Sequence, residues 1–425
     1  MWAVMSFPTI LAGLDIGSSA IRIVVAQSSS RGRGQVSDLT VIGAIETPSQ
    51  GISKGSVTSL DDAVASVSKA LEQAERMTGQ AIQSVWVGIG GAHIVAQESK
   101  GVVGVARADG EIREEDVARA SEAARTVATP TNHDILHVIP RSFTVDGQRG
   151  VIDPVGMTGV RLEADALIVE GLTSQVRNIS KCVFRTGLSI DRMIFSILAV
   201  GETILSQKQK ELGSVVVNIG AQTTGVIVFE EGNIAHVGVL PLGADHITSD
   251  IAIALRTSIE VAEAIKKRYG TALRQMTERG KKISVKEFGA LGDETCTHGF
   301  LADVILARVE EIFEKVDLEL RKIDRSGLLP AGAFLTGGGA KLSGIQEVAK
   351  GVLRLPVALG LSIGVQSAME EANDPAFSTA IGLVKWADDA SANQNRRFGG
   401  GAFENVLSLD KVSSFVKKVL KGFTV

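Results

Sequence analysis

The chain has 425 residues, of which 44% are hydrophobic and 22% charged, and its formal net charge is -4. This length accommodates two lobes with separate cores. The acidic balance and an aromatic content of 4% disfavour a general nucleic-acid binder, which presents a basic surface and stacking side chains, so we predict no nucleic-acid partner.

Residues 1–11 are apolar but carry neither a basic start nor a cleavage site, which indicates a leader into the first strand rather than a signal peptide. The sequence holds no run of about 18 apolar residues of the kind that crosses a bilayer, so any membrane contact must come from the surface. Cys182 and Cys296 stand far apart and the histidines do not cluster, which predicts no disulfide framework and no metal site made by protein side chains.

An apolar strand that starts near Leu11 ends in a glycine turn, and a second β-branched strand follows at once. This order predicts a β-hairpin. Gly17 permits a tight turn, so that backbone N–H groups and the hydroxyls of Ser18 and Ser19 converge on a phosphate group. Asp15 stands where a carboxylate would hold a magnesium ion through water. Alone, such a turn is more typical of a tight turn that an aspartate caps and that binds no phosphate.

The second half of the chain repeats the order of strand, glycine turn and strand from Gly213 onward. The candidate phosphate contacts of this second turn are Asn218, Gly220, Ala221, Gln222 and Thr223. Two such turns, roughly 200 residues apart and each opening a lobe, predict two related lobes that grip one nucleotide phosphate chain between two hairpins.

A third glycine-rich turn follows a buried strand and precedes a helix. Its candidate nucleotide contacts are Gly337, Gly338, Gly339 and Lys341. Glycines there let the backbone approach a ring or ribose closely, and the helix N-terminus favours anionic groups. Upstream, residues 249–269 are predicted to form a helix that carries Glu263 and Lys266 on one face. Their spacing suits contacts to ribose hydroxyls and the adenine edge, and it equally suits a surface ion pair.

Beyond Trp386 the composition shifts to Asp, Asn, Arg, Gly and Ser, which predicts a flexible linker. Residues 407–425 are predicted to form an amphipathic helix. Its membrane-contacting residues would be Val412, Phe415, Val416, Lys417, Lys418, Val419, Leu420, Lys421 and Phe423. A helix docked on the protein's own core is the common alternative. The linker and the lysine-only charge after Asp410 favour an anionic membrane interface, where each lysine contributes about 1 kcal/mol.

The three glycine loops resemble the nucleotide site of the actin, sugar-kinase and heat-shock chaperone superfamily. Segments without a general nucleotide role narrow the resemblance to the bacterial cell-division family FtsA. These segments are 51–55 (GISKG), 136–140 (LHVIP), 153–162 (DPVGMTGVRL) and 248–254 (TSDIAIA). The resemblance implies an α/β, two-lobed actin-like (ribonuclease H-like) ATPase fold with an FtsA-type inserted subdomain and a C-terminal amphipathic helix.

The resemblance also implies a division of the chain into six parts. These are a first lobe (8–90 and 166–212), an inserted subdomain (91–165), a second lobe (213–257 and 332–386), an insertion of the second lobe that binds FtsZ (258–331), a linker (387–406) and a membrane-targeting helix (407–425).

The function implied by the resemblance is that of an ATP- and Mg²⁺-binding division protein on the cytoplasmic face of the cell membrane, peripheral and at the division site. It would polymerise there and anchor the ring of the tubulin-like protein FtsZ. Its partners would be the FtsZ C-terminal tail, further copies of itself, anionic lipids and other division proteins. Arg308, Glu311 and Lys315 share a helix face that could meet an acidic tail, although a solvated face has the same pattern.

Two departures from the family pattern concern hydrolysis. Asn218, Ala221 and Gln222 stand where relatives place an aspartate and a pair of glycines, so the charge near a metal is lost. Residues 193–199, where chaperone relatives carry a catalytic glutamate, contain no acid or amide to orient water. We expect at most a slow ATPase, with no confident catalytic residue and with nucleotide acting as a switch between lobe arrangements.

Three alternative functions share the superfamily fold. The pilus-assembly relative PilM has the fold and the ATP site but is disfavoured by the membrane-type tail. A sugar kinase would need a catalytic aspartate base between the lobes, for which no convincing candidate is present. A chaperone would need a long substrate-binding domain, yet only about forty residues follow Trp386.

Overall fold

The computed structural model describes residues 9–29, 38–126, 130–278, 280–290, 292, 294–367 and 369–395. The described chain forms two compact units. The smaller unit comprises residues 96–170 with the last described residues 393–395, and the larger contains the described parts of 1–95 and 171–392. The larger unit consists of two lobes, each built on its own sheet.

The first lobe begins with five strands, a helix and a sixth strand. They are β1 (Thr9–Ile16), β2 (Ala20–Ser29), β3 (Asp38–Pro48), β4 (Ile52–Ser53), β5 (Ser56–Val57), α1 (Leu60–Thr78) and β6 (Ser84–Ile89). The smaller unit follows with β7 (Ile94–Gly104), α2 (Glu114–Arg125), β8 (His133–Val145), β9 (Gln148–Val151) and β10 (Arg161–Leu172). The chain then returns to the first lobe with α3 (Thr173–Arg185), β11 (Ser189–Phe195), α4 (Ser196–Ile204) and α5 (Gln207–Leu212).

The second lobe again begins with a three-strand meander. Its elements are β12 (Ser214–Ile219), β13 (Thr224–Glu230), β14 (Asn233–Leu240), α6 (Ala244–Leu255), α7 (Ile259–Tyr269), β15 (Lys282–Ser284), β16 (Thr295–Thr297), α8 (His298–Arg321), β17 (Gly332–Thr336), α9 (Ile345–Leu353) and β18 (Val357–Leu359). The chain finally adds β19 (Gln366–Ser367) to the first sheet and ends its described part with α10 (Ser378–Asn395).

The two sheets of the larger unit share one topology. The first has the strand order β11-β6-β1-β2-β3-β19 and the second has the order β14-β13-β12-β17-β18. In each, an antiparallel meander of three strands is extended on one side by two parallel strands. This correspondence confirms the internal repeat and the two lobes predicted from the paired glycine turns.

Strand β12 is buried on both faces, and the valines at 215, 216 and 217 are typical of that environment. Val215 and Val217 lie in one core with residues of α6, α7, α8 and α9. On the opposite face α4 packs so closely that a Cβ on Gly225 would lie 3.2 Å from Ile197. The segment 258–331, predicted to be an insertion, therefore shares the hydrophobic core of the second lobe.

The smaller unit is built on a four-stranded sheet in the order β7-β10-β8-β9, with α2 beside it. Its own core includes Ile112, Val117, Phe143 and Leu162. At the start of α2, the backbone N–H of residue 113 donates a hydrogen bond of 3.0 Å to Asp116. This bond, with help from the Arg119 guanidinium, holds the pKa of the Asp116 carboxyl below its usual value.

The structure corrects the single helix predicted over 249–269. α6 ends at Leu255, Arg256 has a left-handed backbone with φ of 49°, and α7 begins after Ser258. The Ser258 hydroxyl accepts a hydrogen bond of 3.4 Å from the Val261 N–H and so caps α7. Ser258 marks a helix start that apolar periodicity alone does not reveal.

The start of the linker, predicted at residue 387, is also corrected, because α10 continues to Asn395. Ala387 is fully buried and Asp388 nearly so, and the Asp388 carboxylate accepts a hydrogen bond from Ser28 of β2. Packing against the first sheet therefore extends the helix through a segment whose polar composition favours a loop. Residues 396–425, which include the remainder of the linker and the predicted membrane helix, lie outside the described residues. Among the residues that are described, no helix is both long and apolar enough to cross a membrane.

The contact of α10 with α4 gives a test of this packing. A Cβ on Gly382 of α10 would lie 2.2 Å from the carbonyl oxygen of Ala199 in α4, so one helix must shift to admit it. We expect Gly382→Ala to lower the free energy of unfolding by about 1–3 kcal/mol, measured by urea denaturation. A Cβ on Gly351 of α9 would have no heavy atom within 4 Å. The control Gly351→Ala should therefore raise stability by about 0.5–1 kcal/mol through helix propensity. Equal effects of the two changes would contradict the close helix crossing.

Candidate nucleotide site

The two predicted phosphate turns have the same backbone geometry. In the β1–β2 turn the N–H of Gly17 donates to the carbonyl oxygen of Ala20 at 3.1 Å. In the β12–β13 turn the N–H of Gly220 donates to the carbonyl oxygen of Thr223 at 2.9 Å. A Cβ on either glycine would lie within 2.9 Å of the same oxygen, so only glycine fits without a shift.

Asp15 is a half-buried carboxylate with incomplete charge compensation. It lies on β1 directly opposite Arg22 of β2, and Arg22 also forms an ion pair of 2.7 Å with Glu46. Burial raises the pKa of Asp15 to about 6, although the positive charge of Arg22 by itself would lower this pKa. A cation beside this carboxylate would offset the cost of its ionised form, so the residue fits the proposed role of holding Mg²⁺ through water.

Asn218 occupies the corresponding place on β12, and its side chain points toward the third glycine loop. Its Oδ1 lies only 2.4 Å from the position that a Cβ on Gly337 would take, and Gly337 has φ of 84°. Gly339 is similarly close to Ile219. Both glycines are therefore required for the approach of the third loop to the second turn.

Gly338, between them, differs from its two neighbours. A Cβ at Gly338 would have no heavy atom within 4 Å, so the backbone there faces open space rather than protein. This is the property needed where a ring or a ribose approaches the backbone. Lys341, at the end of the loop, forms an ion pair of 2.5 Å with Asp374.

The N-terminus of α6 supports the second phosphate turn. The N–H of Ala244 donates to the carbonyl oxygen of Gly220 at 2.9 Å, and the N–H of Asp245 donates to that of Ala221 at 2.7 Å. A Cβ on Gly243 would lie 2.5 Å from the Ala221 oxygen. Gly243 thus belongs to the candidate site, although the sequence motifs did not include it. The signal that could have identified it is a glycine directly before the start of a helix.

Glu263 and Lys266 form an ion pair of 2.5 Å on one face of α7, at the predicted spacing. Both also contact the hydroxyl of Thr248 in α6, at 2.6 and 2.7 Å. Burial by itself would raise the pKa of Glu263, but hydrogen bonds from Lys266 and Thr248 hold it below its usual value. The cluster joins α7 to the helix that supports the phosphate turn.

The first phosphate turn has a neighbour that the site prediction did not include. The tip of the β4–β5 hairpin, residues 53–55, donates a hydrogen bond of 3.2 Å from the N–H of Gly55 to the Ser18 hydroxyl. Ser19 accepts a bond of 3.0 Å at its carbonyl oxygen from the N–H of Ser49. Residues 51–55 carried a family resemblance in the sequence, but only the fold brings them to the phosphate turn.

The passage from β11 to α4 contains the segment 193–199, which has no acid or amide. The next acid, Glu202, forms an ion pair of 2.5 Å with the buried Lys210. Its carboxylate is thereby engaged inside the fold, and no residue of this passage is a candidate to orient water.

The three residues assigned to partner binding lie on α8, apart from the glycine loops. Arg308 donates two hydrogen bonds, of 2.6 and 2.9 Å, to Asp250 of α6 and a third to Glu311. The Asp250 carboxylate raises the pKa of Arg308 above its usual value. Arg308 thus connects two helices of the lobe, whereas Lys315 is exposed.

Solved structures with the same fold define the class of protein. The PilM-PilN type IV pilus biogenesis complex matches with a TM-score of 0.65 and 16% identity, over 89% of this chain and 98% of that one. MreB5 of Spiroplasma citri, solved with bound ADP, matches with a TM-score of 0.53 and 12% identity, over 92% of this chain and 99% of that one. The two repeated lobes and these matches show that the chain has the actin-like fold.

The family follows from closer relatives. The model of the cell division protein FtsA matches residues 215–382, and that of the SHS2 domain inserted in FtsA matches residues 91–170. The cell division protein FtsA of Pseudomonas aeruginosa is 38% identical over 376 residues, which is 88% of each chain. The chain belongs to the FtsA family of cell-division proteins, which confirms the resemblance and the predicted actin-like fold with an inserted subdomain.

The raised pKa of Asp15 predicts a pH-dependent effect of Asp15→Asn. In the folded state the Asp15 carboxyl has a pKa of about 6, whereas the ordinary pKa of an aspartate is 3.8. Its contribution to stability is therefore complete below pH 3.8 and is lost as the pH rises through about 6. Without nucleotide and with a chelator, Asp15→Asn should raise the free energy of unfolding at pH 8 by on the order of 2 kcal/mol. Near pH 4 the difference should almost vanish.

Urea denaturation at the two pH values measures this difference. Glu72→Gln, at an exposed carboxylate of α1, is the matched control and should show little change at either pH. A stabilisation by Asp15→Asn that does not depend on pH would rule out desolvation of the carboxylate as its cause.

Proposed function

We propose that the protein is an ATP-binding cell-division protein that polymerises on the cytoplasmic face of the membrane and anchors the FtsZ ring there. The observation that carries nucleotide binding is the pair of glycine turns with equal geometry, one from each lobe, beside a third loop whose Gly338 faces open space. ADP in the structure of the MreB5 relative supports the same role for this fold.

In this proposal the phosphate chain of ATP lies between the two turns. The first turn would contribute backbone N–H groups with Ser18 and Ser19, and the second would contribute those near Gly220 and Thr223. Bound Mg²⁺ would neutralise phosphate charge, with Asp15 as its carboxylate in the second coordination sphere. The ribose and adenine would meet the third loop and the Glu263–Lys266 cluster.

Slow hydrolysis is part of the proposal. Asn218 supplies an amide where a second carboxylate would strengthen the hold on a metal ion, and the β11–α4 passage offers no group to orient water. Nucleotide would then act through occupancy, by favouring one arrangement of the lobes.

Membrane attachment would come from residues 407–425, whose apolar stripe and lysines suit an anionic interface. A single helix of this length binds reversibly, and a polymer would multiply its affinity through avidity. Assembly of the protein would thus control how firmly it holds the membrane.

The FtsZ tail would bind the second-lobe segment 258–331. On α8 the exposed Lys315 suits an acidic peptide better than Arg308, whose guanidinium is engaged by Asp250. Phe300, at the start of the same helix, is 45% exposed and offers an apolar contact.

A PilM-like role in pilus assembly is the second candidate, since the PilM structure shares the fold. The match of residues 91–170 to the SHS2 domain inserted in FtsA and the 38% identity to a division protein favour the first proposal.

Gly338→Val tests the nucleotide site without a clash inside the protein. The side chain would project into open space where the nucleotide is proposed to approach, so the thermal stability of the ligand-free protein should hardly change. ATP affinity, measured by isothermal titration calorimetry with Mg²⁺, should fall at least about tenfold. Gly351→Ala, also unobstructed but on α9, should leave the affinity unchanged. Wild-type affinity in Gly338→Val would exclude this loop as a nucleotide contact.

Co-sedimentation with vesicles tests the membrane helix. The full chain should pellet with anionic vesicles, and more so with ATP, whereas a chain that ends at Ala402 should stay in the supernatant. Phe415→Glu, on the apolar face, should abolish pelleting, while Ser414→Glu places the same charge on the opposite face and should retain most of it. Equal pelleting of the full and shortened chains would eliminate the tether.

A further inference from the structure

The second phosphate turn carries a glutamine whose side chain reaches the first lobe. The Oε1 of Gln222 accepts hydrogen bonds from the Ser53 hydroxyl at 3.1 Å and from the Lys54 N–H at 2.8 Å. Its Nε2 donates to the Asp245 carboxylate at 3.2 Å. The partners determine the amide orientation, because a backbone N–H can only donate and a carboxylate can only accept.

The first-lobe end of this connection is a tight turn that packs closely against its own lobe. Lys54 and Gly55 form the tip of the β4–β5 hairpin with φ of 49° and 76°, as in the tight turns that need two left-handed residues. A Cβ on Gly55 would lie 2.0 Å from the carbonyl oxygen of Gly90, so the tip is seated closely on its own lobe. Its Gly55 N–H also binds Ser18 of the first phosphate turn.

The second-lobe end is equally well supported. Asp245 belongs to the first turn of α6, and its N–H binds the carbonyl oxygen of Ala221, directly before Gln222. The glutamine is thus held at both ends of its amide, between a hairpin tip that contacts the first phosphate turn and a helix that supports the second. Separation of the lobes must break the two hydrogen bonds to Ser53 and Lys54.

We propose that Gln222 is a latch that holds the two phosphate turns together and thereby slows the release of bound nucleotide. The inference rests on the proposed nucleotide site and assigns Gln222 the role of a positioning residue for cleft closure. Release requires the cleft to open, so the two interlobe bonds add to the barrier for dissociation. Association from the open state does not break them, so the association rate should change little.

The test is stopped-flow displacement of a ribose-labelled fluorescent ATP analogue from the full chain in the presence of Mg²⁺. Gln222→Ala should increase the dissociation rate by about 5- to 30-fold, as expected for two hydrogen bonds of ordinary strength. Ser53→Ala, which removes one of them, should increase it by a few fold. The double variant should release no faster than Gln222→Ala alone, because both changes remove the same contact. Gln73→Ala on α1 is the matched control and should release at the wild-type rate.

The outcomes separate the latch from the site on which it rests. If the wild-type chain does not bind the analogue, the proposed nucleotide site fails and the latch fails with it. If it binds and Gln222→Ala releases it at the wild-type rate, only the latch is overturned. Additive effects of the two substitutions would also overturn it, since they would reflect separate weakening of the fold. If Gln222→Ala does not fold, unchanged release from Ser53→Ala would overturn the latch in the same way.

Discussion

The close approach of the third glycine loop and of helix α6 to the second phosphate turn depends on the absence of side chains at a few positions. A Cβ on Gly337 would lie 2.5 Å from the carbonyl oxygen of Ile219, and one on Gly243 would lie 2.5 Å from that of Ala221. These distances are too short for any other residue without movement of the backbone. The third loop and the N-terminus of α6 can therefore approach the second phosphate turn closely, which suits the proposed binding of a nucleotide there.

The two phosphate turns carry few charged side chains, and the turns differ in charge. Asp15 is ionised only at a cost, because it is half-buried and Arg22 is shared with Glu46. Its counterpart Asn218 is neutral. Burial destabilises the ionised form of the one carboxylate in this site. The site therefore suits a bound nucleotide whose metal ion offsets that destabilisation. It lacks the second charge that would hold the metal ion and an attacking water firmly. This asymmetry is the physical reason to treat nucleotide as a ligand that biases structure rather than as a substrate consumed rapidly.

Helix α6 connects the separate parts of the second lobe. Its N-terminus binds the second phosphate turn through Ala244 and Asp245, and its Thr248 joins the Glu263–Lys266 cluster of α7. Two residues further along α6, Asp250 binds Arg308 of α8. One helix therefore connects the second phosphate turn with the surface on which a partner is proposed to bind. The hydrogen bonds of the latch residue Gln222 would also connect the first lobe to helix α6.

The sequence by itself determined the features that arise from local chain chemistry. Strand, glycine turn and strand recur because tight turns need glycine and because runs of apolar, β-branched residues form strands, so the two lobes and both glycine turns were predictable. Only the tertiary structure decided which distant residues meet. Gln222 lies 168 and 169 residues from its partners in the β4–β5 tip, and Arg308 lies 58 residues from Asp250. The same holds for α10, where burial of Ala387 overrides a polar, loop-like composition. Turn geometry is encoded within a few neighbouring residues, whereas burial and pairing depend on how the whole chain packs.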